Sequence, residues 1–121
     1  MKLFVKKIIP LFVCFIIVIR LWVFLFYALF GLTKFAIDIV NDSFHHYFLG
    51  LGLLAIVLLF KNKLGKLFIY LSAFSIALVV DEYTLILKDI GFNLPYLYTS
   101  ATDHISLVAF LIIALLISIS L

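Results

Sequence analysis

Four apolar runs, each near the length that crosses a bilayer, leave this chain few folds to choose from. They cover residues 8–30, 44–60, 67–87 and 105–121. About 20 residues at a rise of about 1.5 Å each span a hydrocarbon core of about 30 Å. Inside hydrocarbon, a backbone amide is satisfied within a helix or within a closed barrel. Barrel strands would alternate polar and apolar residues, and these runs do not. The expected fold is therefore all-α, an integral membrane bundle of four transmembrane helices over about those ranges, forming one domain over residues 1–121. Composition excludes a water-soluble alternative. Of the 121 residues, 68% are hydrophobic and only 12% charged, about half the charged share that a water-facing surface carries.

The basic residues orient the spans. Lys2, Lys6 and Lys7 precede the first run, and Lys61, Lys63 and Lys66 fill the connection between the second and third. Lysines close to span ends stay cytoplasmic, so both termini are expected there. The opposite side holds Lys34 and Lys88 together with Asp38, Asp42, Asp89 and Asp103. A basic leader before an apolar run also invites a signal-peptide reading. The run is too long for one, however, and bulky Phe30 stands before Gly31 where a small-x-small cleavage pattern would be needed, so the segment is expected to be retained. The net charge of +3 follows from orientation. It forms no basic stripe with interleaved aromatics, and nucleic acid is not an expected partner. The expected surroundings are the lipid bilayer of the cell membrane, crossed several times. Lone Cys14 supports neither an internal disulfide nor a cysteine-based metal site.

Between the first two runs, residues 35–40 read as an interfacial segment or as a prolongation of the first helix. Asn41, Asp42 and Ser43 are candidate N-caps of the second helix. The short connection around Gly65 makes the second and third spans antiparallel neighbours. Residues 88–102 contain Gly91, Asn93 and Pro95 with Tyr96 and Tyr98, a composition suited to an interfacial turn.

The few polar groups in the runs fall in one half of the membrane, and they carry the functional signal. Asp42, His45 and His46 stand at i, i+3 and i+4, within reach of one another on one helical face. Gly50 continues that face and, with Gly52, permits close helix approach. Asp81 and Glu82 lie about 10 Å below the outer end of the third span. A carboxylate at that depth is costly and usually faces a partner inside the bundle. Arg20, at a similar depth in the first span, is expected to be that partner. In the fourth span, Asp103 is a candidate cap and His104 enters the first turn.

Imidazole and carboxylate are the ligand types of zinc, iron and manganese. On donor type, His45, His46, Glu82 and His104 are the candidate ligands of a divalent metal. As candidate catalytic groups we take Asp81, Glu82, His45 and His46, with Asp42, Arg20 and Asp103 as structural polar residues. The spacing does not define a metal motif, since no HExxH is present and adjacent histidines do not readily share an ion. Each residue also has a plainer reading: hydrated interfacial histidines, a cap at Asp103, and a structural hydrogen-bond network at Asp81 and Glu82.

Three short islands resemble a family of small, uncharacterised prokaryotic integral membrane proteins. His45-His46-Tyr47-Phe48-Leu49-Gly50 is similar to that family's paired histidines, aromatic and glycine; Asp81-Glu82-Tyr83 to its Asp-Glu-aromatic island; and Tyr98-Thr99-Ser100 with Asp103 to its last island. The resemblance covers roughly residues 44 to 110. It implies a common site at His45, His46, Asp81, Glu82 and Asp103, and it implies no particular activity.

The expected function is a metal-binding or lipid-directed catalytic site near the extracytoplasmic face. The alternatives are a small transporter or proton-conducting subunit, and a non-enzymatic subunit of a membrane complex. The apolar half of the bundle offers conduction only Ser72, Ser75, Ser118 and Ser120, and four small helices leave little room for a pore without a homo-oligomer.

Overall fold

The computed structural model describes residues 1–30, 46–92 and 101–121. Among the described residues all regular structure is helical: α1 (Lys2–Phe30), α2 (His46–Leu59), α3 (Lys61–Leu64), α4 (Leu67–Asp81), α5 (Tyr83–Asp89) and α6 (Ala101–Ser120). Asp42, His45, residues 35–40, the caps sought at Asn41, Ser43 and Ser100, and the loop tyrosines Tyr96 and Tyr98 lie outside the described residues.

Among the described residues two helices are long and apolar enough to cross a membrane, Lys2–Phe26 within α1 and Asp103–Ser120 within α6, and α4 with α5 makes a third if the bent pair counts as one span. The second apolar run yields α2, whose 14 residues reach about 21 Å at about 1.5 Å per residue. Helix α1 starts well before the apolar run, because Lys2, Lys6 and Lys7 are good helix formers, and it continues through Pro10.

Contacts fix the directions of the helices. Phe4 meets Phe68 with ring centroids 5.8 Å apart, and Phe15 meets Phe74 at 5.3 Å, so α1 and α4 run parallel. Phe12 meets Phe110, and Ser118 donates to the Lys6 carbonyl, so α6 runs antiparallel to α1. Helix α4 packs between α1 and α2, and α6 leans on α1. Gly50 permits the α2–α4 approach. A Cβ there would lie 2.8 Å from the Ser75 carbonyl oxygen and 2.9 Å from both Leu78 Cβ and Val79 Cγ2, closer than packed atoms tolerate.

The third apolar run does not form one straight helix. It breaks at Glu82 (φ −103°, ψ 27°), and α5 leaves α4 at 59°. No glycine or proline occupies the break; the hydrogen bonding around it explains the bend. The Glu82 N–H reaches back to the Val80 carbonyl, and the N–H groups of Leu85 and Ile86 both turn to the Glu82 carbonyl, at 3.0 and 3.1 Å. The Asp81 carbonyl accepts instead from Arg20 Nη2 at 2.7 Å. A side chain of α1 has thus taken over an acceptor of the α4 ladder, a recognised cause of a sharp kink.

The apolar core lies between α1, α4 and α6: Ile8, Phe12, Val13 and Ile16 from the first, Ala73 and Ala77 from the second, Leu107 and Leu111 from the third. Elsewhere large apolar side chains such as Trp22, Leu59 and Ile119 face outward. That is the reverse of a soluble protein and the natural state of helices whose solvent is hydrocarbon.

Candidate functional site

Arg20 is the hub of a charged network at one end of this core. Its Nε donates to Asp81 Oδ1, its Nη1 donates to Asp103 Oδ2 at 2.8 Å, and Nη1 also lies 3.3 Å from His104 Nδ1. The Arg20 side chain is 13% exposed, while Asp81 and Asp103 are fully buried. Guanidinium suits this place because its planar fork of donors serves several acceptors at once and stays charged.

The network continues into α2 through His46. Its Nε2 lies 2.9 Å from Asp81 Oδ2, and its Nδ1 lies 3.0 Å from Glu82 Oε1. The other Glu82 oxygen, Oε2, accepts from the Tyr47 backbone N–H at 2.9 Å. Glu82, from the break between α4 and α5, therefore supplies an acceptor to the first turn of α2, where helical N–H groups lack intrahelical partners and favour negative charge.

These distances imply a count of protons. A neutral imidazole carries one ring hydrogen, so it can present a donor to only one of two carboxylates. The second contact would set a nitrogen lone pair against a carboxylate oxygen at hydrogen-bonding distance. Both contacts are favourable only when the His46–Asp81–Glu82 set holds one more proton, either as imidazolium or as a carboxylic acid. Among the described residues Arg20 pairs with two of the three buried acids, Asp81 and Asp103, while the third, Glu82, meets His46.

Tyrosines hold the bent segment in place. Tyr47 Oη donates to Asp89 Oδ2, and Tyr83 Oη shares a hydrogen bond with Ser106 Oγ, which also donates to the Asp103 carbonyl at 3.0 Å. Helix α5 is thus tied to α2 on one side and to α6 on the other. The sequence places Tyr47 and Tyr83 in two of the islands and Asp89 on the outer side without giving any of them a role, and it does not draw attention to Ser106. Their partners are apparent only once the turn at Glu82 is known.

Below the network the facing sides of the helices are apolar. One turn inward from Arg20, Asp81 and Asp103, each helix places an apolar residue: Ile16, Ala77 and Leu107. A further turn brings Phe12 and Val13, Ala73, and Leu111, all buried. The serines of α4 do not extend the network. At about 100° per residue, Ser75 and Ser72 sit about 120° and about 180° around the helix from Asp81. Ser75 donates to the Leu71 carbonyl at 2.6 Å, and buried Ser72 Oγ finds no hydrogen-bond partner among the described residues.

Of the residues singled out from sequence, Arg20, His46, Asp81, Glu82, Asp103 and His104 come together, with His104 exposed at the edge. His45 and Asp42 lie outside the described residues. Among the described residues, no group of three or more His, Cys, Asp or Glu is placed to hold a metal ion. The His46 nitrogens and the Glu82 oxygens are engaged with one another and with the α2 backbone. Comparison with protein-family models, with curated proteins and with solved structures returns no match.

Proposed function

We propose that this chain is a multi-pass protein of the cell membrane carrying a proton-bearing acid–base site that opens toward the extracytoplasmic leaflet. In this reading the chain crosses four times, α2 and the bent α4–α5 pair each counting as a crossing, with both termini in the cytoplasm. His46 and Glu82 exchange the proton with a bound molecule. Asp81 orients the imidazole, and Arg20 offsets the charge of Asp81 and Asp103.

The observation that carries the reading is the His46 ring set between Asp81 and Glu82, a geometry that needs a second proton and holds it beside a removable acceptor. The apolar floor of Ile16, Ala77 and Leu107 favours a one-sided site over a route across the membrane. A proton relay would need polar groups continuing inward from Asp81.

Nitrogen NMR and infrared spectra of the protein in lipid nanodiscs at neutral pH test this directly. The expected spectrum shows either two protonated His46 ring nitrogens or a carboxylic acid C=O band. One protonated nitrogen with no acid band would overturn the reading, as would stoichiometric zinc, iron or manganese in gently purified protein. In proteoliposomes the expected proton flux equals that of empty vesicles. For the topology, an impermeant amine reagent applied to intact cells should modify Lys88 and spare Lys61, Lys63 and Lys66.

A further inference from the structure

The end of the bundle opposite the charged network is a concentration of positive charge. Lys2, Lys6 and Lys7 stand on the first two turns of α1. Lys61 and Lys63 lie on α3, and Lys66 follows at the turn where Gly65 takes a φ of 53°. The ring contact of Phe4 with Phe68, centroids 5.8 Å apart, sets the start of α1 beside the start of α4, so the two lysine triplets share one level. All of these lysines are exposed. Among the described residues none has a carboxylate partner: Asp81, Glu82 and Asp103 belong to the network at the other end, and Asp89 lies beyond it on α5. Like charges gathered in this way repel one another, and an anion at the same level relieves the repulsion.

The placement of the lysines selects the anion. At about 100° per residue, Lys2 and Lys6 fall nearly opposite Phe4, the α1 residue that faces α4, so they look sideways out of the bundle. The lysines also alternate with exposed apolar side chains: Leu3 between Lys2 and Lys6, Phe60 before Lys61, and Leu67 after Lys66. Lys63 Nζ stays 5.9 Å from the centre of the Phe60 ring, within the range of a cation–π contact, and so remains level with the apolar end of α2. An acidic protein approaching from water would be met best by a face directed along the helix axes. A rim of ammonium groups interleaved with apolar side chains matches the boundary of a leaflet, where phosphates lie just outside the acyl chains.

We infer that this rim binds the phosphates of anionic phospholipids in the leaflet beside it, Lys2, Lys6 and Lys7 serving headgroups around α1, and Lys61, Lys63 and Lys66 those around the hairpin between α2 and α4. The inference is independent of the acid–base reading of the opposite end, and none of the measurements that test it involves His46.

The test places the unmodified chain in phosphatidylcholine bilayers with a trace of spin-labelled lipid. Electron paramagnetic resonance measures the fraction immobilised against the protein, for phosphatidylglycerol and for phosphatidylcholine carrying the same labelled acyl chain. In about 0.1 M salt phosphatidylglycerol should be favoured by about 1.5- to fivefold, the range for one exposed ion pair per headgroup. In about 1 M salt, where the screening length falls from about 10 Å to about 3 Å, the preference should vanish. Lys2→Gln, Lys6→Gln and Lys7→Gln together should lower it, as should Lys61→Gln, Lys63→Gln and Lys66→Gln together, and the full set should abolish it. Lys88→Gln, at the other end, should leave it unchanged. The salt titration uses the unmodified chain, so it decides the matter even if a variant fails to fold. Equal immobilisation of the two lipids would overturn the inference and leave the lysines to an acidic protein partner. A preference that survives about 1 M salt, or that survives loss of the full set of lysines, would overturn it by placing the anion elsewhere. A preference carried by one triplet alone would overturn the shared rim.

Discussion

Arg20 holds Asp81 twice, once through its carboxylate and once through its backbone carbonyl, the latter by Nη2 at 2.7 Å. The same side chain therefore neutralises a buried acid and caps the point where α4 stops. Charge compensation and helix geometry share one residue here, and through Asp103 that residue also draws α6 to the bundle.

Replacing Arg20 by leucine should accordingly do more than remove an ion pair. It takes the guanidinium away from two fully buried carboxylates, and breaking such a pair from one side costs about 3–5 kcal/mol. Arg20→Lys keeps the charge and lacks the fork, so it should recover part of the loss and none of the carbonyl cap. Unfolding by SDS titration in mixed micelles measures both variants. Equal stability of Arg20→Leu and the unmodified chain would show that Arg20 does not bear on the fold in this way.

Gly50 and Gly52 are two residues apart on α2 and predict opposite outcomes. A methyl at Gly50 collides with the Ser75 carbonyl oxygen, Leu78 and Val79, whereas a methyl at Gly52 meets nothing within 4 Å. Gly50→Ala should cost about 1–3 kcal/mol as overpacking, and in pushing α2 off α4 it should withdraw His46 from Asp81. Gly52→Ala should be neutral or slightly stabilising, since alanine favours helix over glycine. The same SDS titration, read beside the His46 nitrogen spectrum, separates the two.

Helix α5 hangs between two tyrosine hydroxyls, Tyr47 on Asp89 and Tyr83 on Ser106. Tyr83→Phe removes one tether at a cost of about 1 kcal/mol. Amide hydrogen exchange should then quicken across Tyr83–Asp89 and stay unchanged in Lys2–Phe30, because local opening follows local contacts. Uniform acceleration throughout the chain would instead assign Tyr83 to global stability.

Depth was legible in the sequence and direction around each helix only partly so. Counting residues places Arg20 level with Asp81 and Glu82, whereas Asp103 reads as a cap at the outer end of the fourth span; that Arg20 reaches Asp103 as well as Asp81 appears only in the structure. The break at Glu82 was not legible. Asp81-Glu82-Tyr83-Thr84 contains no helix breaker, and the apolar run continues to Leu87; the bend depends on Arg20 taking a carbonyl from another helix. The acceptor that Glu82 offers to α2 was hidden for the same reason, while the local sequence offers Asn41, Asp42 and Ser43 as ordinary caps. The partners of Tyr47 and Tyr83 are set by that bend, and no local pattern announces them.

Glu82→Gln tests the proton count without removing the side chain. A glutamine carbonyl can still accept from the Tyr47 N–H, the role of Glu82 Oε2, and its amide N–H can face His46 Nδ1 in place of Oε1. With a donor supplied there, a neutral His46 carrying its hydrogen on Nε2 satisfies both neighbours, and the second proton has no remaining function. The expected variant is folded, with one protonated ring nitrogen at His46 and no carboxylic acid band. Asp81→Asn should behave differently, because it removes the charge that Arg20 meets and should destabilise by about 3–5 kcal/mol as the broken half of a buried pair. If Glu82→Gln kept two protonated ring nitrogens, the proton would belong to the Asp81–His46 contact alone, and Glu82 would be a helix cap with no part in proton exchange.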